Sequence, residues 1–147
     1  MRAADAAIIA LLEATGIDVN DSFVDADNTT NVVTYPLPYL VYESSVGDDD
    51  NDVVARMSGP GDKLSHFFSL AYIGEDPNQT RWAGEKARAA LRRTRLTGTG
   101  IQKSGFVHLE ESQRVRRDDD AIRPDGTPLY RGVDLYSVVI TPQEFVE

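Results

Sequence analysis

The sequence has no cysteine, which excludes disulfides and thiolate metal sites and makes a reducing compartment the natural setting. Imidazole is scarce too, with only His66 and His108 available as ligands or general bases. Long apolar runs are missing. The N-terminal "MRAADAAIIALLEATG" holds seven apolar residues between Asp5 and Glu13, well short of the roughly 18 that a membrane span needs. Its one basic residue, Arg2, makes a poor leader for a secretory signal. The expectation is a chain made in the cytoplasm, whose N-x-S/T matches at Asn20, Asn28 and Asn78 carry no glycan. No internal repeat or interdomain linker is visible, and 147 residues suit a single domain, 1–147.

What the sequence does have is charge, unevenly spread. The net value is −9. Residues 1–62 set Arg2 and Arg56 against twelve acids, a balance of −10, whereas residues 63–147 set thirteen Lys and Arg against twelve acids, a balance of +1. Six basic residues between Arg81 and Arg95 face Glu85 alone. Such polarity disfavours binding nucleic acid over the whole surface. It suits a subunit whose one face attracts a different face of another copy.

Ala4, Ile8, Leu11 and Leu12 fall at helical spacing and Gly16 follows, which predicts a helix over Ala3 to Ala14. "IDVNDSFVD" offers at most one strand or a ragged hairpin, and "DNTTN" from Asp27 reads as a turn. In "YPLPYLVYES", Tyr35 to Ser44, two prolines precede a dense β-former run. Lys63 to Ile73 predicts a long buried strand ended by Gly74. A second helix starts with Asp76 as cap, Pro77 in the first turn and Gln79 three residues after the cap. Its lean stripe of Ala83, Ala87, Ala90 and Leu91 can lie close to a sheet, most of all at Gly84. Phe106 to Leu109 and Gln113 to Arg117 predict two strands or one bent strand. Asp118 to Asp120 and "RPDGTP" read as a turn-rich connection, and Leu129 to Thr141 as a second long strand stopped by Pro142. The fold class expected is α+β: a mostly antiparallel sheet of about four to five strands, with the N-terminal and central helices packed against it.

Motifs for chemistry are weak. "GTGIQKSG", Gly98 to Gly105, resembles a phosphate loop, but Gln102 stands where glycine should precede the lysine, and the segment follows a helix. A flexible turn is the plainer reading. "DDDND", Asp48 to Asp52, alternates carboxylates like a calcium loop, but Val53 and Gly59 replace the required glycine and glutamate. His66 follows Ser65, yet adjacent strand residues point to opposite faces and make no nucleophile–base pair. No catalytic residue, metal or cofactor is expected. Arg92, Arg93 and Arg95 crowd the end of the second helix, where cations complement its dipole. The prolines suggest an edge strand, because proline cannot donate to a sheet ladder. Tyr35 beside them suits an interface. A simple lead-in from loop to strand in a monomer is the alternative.

The order of segments is similar to that of a known family. A helix precedes "PLPYLVY" (Pro36 to Tyr42). Then come "HFFSLAYIG" (His66 to Gly74), "RWAGEKARAALRR", a glycine turn, "VHLEESQRVRRDDD" and "YRGVDLYSVVI". In pattern and length the chain resembles the tail terminator (tail completion) proteins of long-tailed bacteriophages, particularly those infecting actinobacteria. The resemblance implies a non-enzymatic virion protein, assembled in the host cytoplasm, that forms a hexameric ring. It implies that the ring caps the tail tube at the head–tail junction and meets the tube protein and the head connector, with DNA passing through unbound. The subunit contact expected on this basis joins Tyr35, Pro36 and Pro38, and pairs Arg88, Arg92, Arg93 and Arg95 with Asp48, Asp49, Asp50 and Asp52 of the next copy. A head-closure or tube protein fits the same pattern. From other classes, a small metal-dependent hydrolase built on the acidic loop and His66, or a monomeric binding module, stays open.

Overall fold

The computed structural model describes residues 3–21, 36–44 and 63–142. In chain order the elements are α1 (Ala3–Glu13), β1 (Asp18–Asp21), β2 (Tyr39–Ser44), β3 (Leu64–Gly74), α2 (Pro77–Leu91), β4 (Ile101–Ser104), β5 (His108–Ile122) and β6 (Pro128–Pro142). The α+β class stands, with two described helices on a six-stranded sheet of order β1-β2-β3-β6-β4, and β5 also paired to β6. The sheet is mixed. β1 runs parallel to β2, and the other pairings are antiparallel.

Local chemistry explains the helices. Ala4, Ile8 and Leu12 recur every four residues and are buried. The Thr15 hydroxyl donates to the Leu12 carbonyl at 2.6 Å, and Gly16 at φ +84° ends the turn, a left-handed geometry that costs glycine little. At the start of α2 the Gln79 N–H donates to Asp76 Oδ1 at 2.7 Å. Gln79 Oε1 accepts from the Glu75 N–H at the same distance, so the cap works in both directions.

Both sheet faces carry apolar residues, which is why "YLVY" in β2 reads as a continuous run. Leu40, Tyr42, Phe68, Leu70, Tyr72, Tyr136 and Val138 meet Ile8, Leu12, Ala83, Ala87 and Leu91 of the helices. On the other face Tyr39, Val41, Ala71, Ile73 and Leu129 form a smaller cluster with Leu37 and Val133. Gly84 and Gly132 exist for the Tyr72 ring. A Cβ would stand 2.8 Å from that ring at Gly84 and 2.2 Å from it at Gly132. The sheet-hugging helix expected from the alanine stripe is real, and a tyrosine ring fills the gap.

Three expectations are corrected. β2 lies inside the sheet between β1 and β3, so Pro36 and Pro38 lead into an internal strand and do not mark an edge. Their missing N–H groups fall before the ladder begins at Tyr39, and Leu37-Pro38 is cis. "GTGIQKSG" is a turn only through Gly100, since Ile101–Ser104 pair with β6 as β4. The acidic Asp118 to Asp120 continue β5, a single long strand with register shifts. There, the exposed charge of Asp119 discourages unwanted pairing. The true turn is later, where the Thr127 N–H and hydroxyl donate to Asp125 Oδ1 at 3.0 and 2.6 Å. The Thr127 bonds hold the Asp125 carboxyl below its usual range.

Candidate assembly surface

Among the described residues no group of three or more His or carboxylate side chains is placed to hold a metal ion. His66 is buried in β3. Its Nε2 lies 3.0 Å from the Tyr42 hydroxyl and 3.4 Å from Asp5 Oδ1, and Tyr42 donates to the same carboxylate. The His66 ring stacks on Phe68 at 5.9 Å. Asp5 of α1 and the Tyr42 and His66 of the sheet all have little access to water, so their evident work is to satisfy one another inside the core. His108 is exposed on β5. Gly98 to Gly100 lead into a strand, so the loop lacks the helix N-terminus on which phosphate binding depends.

The arginines divide sharply. Arg88 turns inward: its Nε and Nη2 donate to the two carboxylate oxygens of Asp134 at 2.8 and 2.9 Å. Asp134 is wholly buried and also accepts from Tyr72 at 3.1 Å and Tyr136 at 3.2 Å. The hydrogen bond to Asp134 raises the pKa of Arg88, while burial, reinforced by that carboxylate, raises those of Tyr72 and Tyr136. The expected partnership of Arg88 with another copy therefore gives way to one inside its own chain. Sequence reading missed this pair. The signal was an acid inside the apolar alternation of β6, which demands a cation from whatever packs over it.

Arg92, Arg93 and Arg95 remain outward and exposed. Arg93 holds φ +58°, a conformation that costs a residue with a Cβ roughly 1–2 kcal/mol and that glycine adopts freely. The Arg95 guanidinium lies over the Phe106 ring at 4.5 Å, and Lys86 Nζ lies 5.7 Å from the Trp82 ring. Trp82 and Phe106 are each 46% exposed. A basic surface with two aromatic rings thus covers the outer side of α2 and the chain after it. Pro36 is exposed, whereas Tyr35 and Asp48 to Asp52 lie outside the described residues.

Comparison with solved structures finds a likeness of fold. Over 94% of its length the chain superposes on 93% of a chain from the "Virion of native gene transfer agent (GTA) particle", with a TM-score of 0.55 and 16% identity. The likeness is one of fold. No family model matches the chain, and no curated protein does.

Proposed function

We propose that the chain is a structural subunit of a phage-like virion. In this reading it closes into a ring, hexameric as the tail-terminator resemblance implies, that caps the tail tube, ends its growth and meets the head connector. The observation that carries the reading is the end-to-end likeness of fold to a virion chain. The charge distribution supports it. Rings need heterologous contacts, in which one patch binds a different patch on the neighbour. The exposed arginines beyond α2 and the −10 balance of residues 1–62 supply opposite partners. Arg92, Arg93 and Arg95 face Asp48, Asp49, Asp50 and Asp52 of the next copy, and Tyr35 and Pro36 border the contact. Exposed ion pairs are worth about 0–1 kcal/mol each, so they set orientation, while buried apolar area supplies strength. Subunits of net charge −9 also let DNA pass without gripping it.

Electron microscopy of the purified protein with tail tubes tests the reading. Rings seated at one tube end are the expected result. Long cylinders would identify a tube protein instead, and a monomer indifferent to tubes would end the proposal.

A further inference from the structure

The two ends of the sheet differ in charge. At one end lies β4, whose described partner is β6 alone. An open cleft of about 840 Å³ lies against it, lined by Lys63, Arg95 and Lys103 above an apolar floor that includes Leu96, Ile101 and Val139. No acid lines it among the described residues. Val139 is 41% exposed, so apolar surface there awaits cover. At the other end lies β1, with exposed Asp18 in the strand and exposed Glu13 just before it.

We infer that the cleft beside β4 receives the β1 end of a second copy. The inference rests on the ring reading and adds a second contact to it. Charge is complementary, with Lys63 and Lys103 in the cleft and an acidic strand end to meet them. Direction fits as well. β1 and β2 run one way, β3 the other, β6 with β1, and β4 against it. A neighbour in the same orientation therefore brings its β1 antiparallel to β4. The other free edge, β5, is a poorer dock, because Glu110, Glu111, Arg114, Arg116 and Arg117 crowd it and bulges break its register. The apolar floor favours a protein segment over phosphate, which needs only the cations.

Two charge-reversed variants test this. One carries Lys63→Glu and Lys103→Glu in the cleft; the other carries Glu13→Lys and Asp18→Lys at the β1 end. All four residues are exposed, and circular dichroism with thermal melting checks that each variant is folded. Sedimentation and microscopy of tube ends then follow assembly. Each variant alone should self-associate on the order of tenfold more weakly than the wild type. An equal mixture should assemble, because reversed cleft meets reversed end and native cleft meets native end. Variants that assemble normally, or a mixture that does not recover, would overturn the inference while leaving the ring reading in place. A wild type that never self-associates sinks both. Duplex DNA retarded by the wild type but not by the cleft variant would make the cleft a phosphate site and refute the contact.

Discussion

Arg88 and Arg92 stand one helical turn apart, yet they belong to different regions of the molecule. Arg88 looks in, toward a carboxylate wholly removed from water, and its bonds join α2 to β6. Arg92, Arg93 and Arg95 look out and are exposed. Composition treats them alike. The difference teaches that a basic helix has two uses for its cations, one that holds the subunit together and one left for what lies outside it.

Removing the inward charge should separate the two uses most clearly. Arg88→Met leaves the Asp134 carboxylate buried beside two tyrosines and should cost roughly 3–5 kcal/mol in denaturant unfolding. Arg92→Ala should change stability by less than about 0.5 kcal/mol while weakening ring assembly. Equal effects on stability would erase the distinction. Next in size, Gly132→Ala forces a methyl into the Tyr72 ring and should cost about 1–3 kcal/mol. It disturbs the inward region without touching any charge, and chemical denaturation reads it.

Alkaline pH sharpens the contrast differently. Burial holds Tyr72 and Tyr136 above their ordinary pKa of 10, and raises Tyr39 to about 12, with Asp118 adding to the rise. A group whose pKa is raised on folding contributes fully below its unfolded value and loses that contribution as pH rises through the folded one. Stability should therefore hold to about pH 10 and fall between pH 10 and 12, as unfolded tyrosines release protons that folded ones keep. Melting temperatures across that window measure it, and a flat profile would contradict the buried tyrosine cluster. Smallest is Arg93→Gly. Relief of the left-handed backbone should raise stability by about 0.5–1 kcal/mol, with assembly weakened in the same variant. A gain in both would mean that the outward arginine serves no contact.

Much of this was legible beforehand. The Asp76, Pro77 and Gln79 start, the Gly16 stop and the two long strands follow from local chemistry that tertiary packing does not overrule. The glycine at position 84 announced a close approach, though not that Tyr72 would make it. β4 was hidden because its glycine-rich lead-in reads as loop, and the far end of β5 because an edge strand with one face in water can carry "RRDDD" without an apolar alternation, although its first part was read as strand. The prolines misled for a geometric reason. β1, the strand that covers β2, has four residues including two aspartates, too polar a stretch to announce itself as a neighbour. Of the assembly surface, the arginines past α2 were visible. The cleft was not, since Lys63 and Lys103 lie forty positions apart and meet only through β3, β6 and β4.

β6 bonds to β3 along one side and to β5 and then β4 along the other. Every other element of the sheet is made before it. A ribosome must therefore emit nearly the whole of the described chain before the architecture has its spine, and until then β3 has nothing on that flank. Closure of the sheet therefore waits for the last described strand, and the pairing surfaces of β3, β4 and β5 are completed together by one late segment.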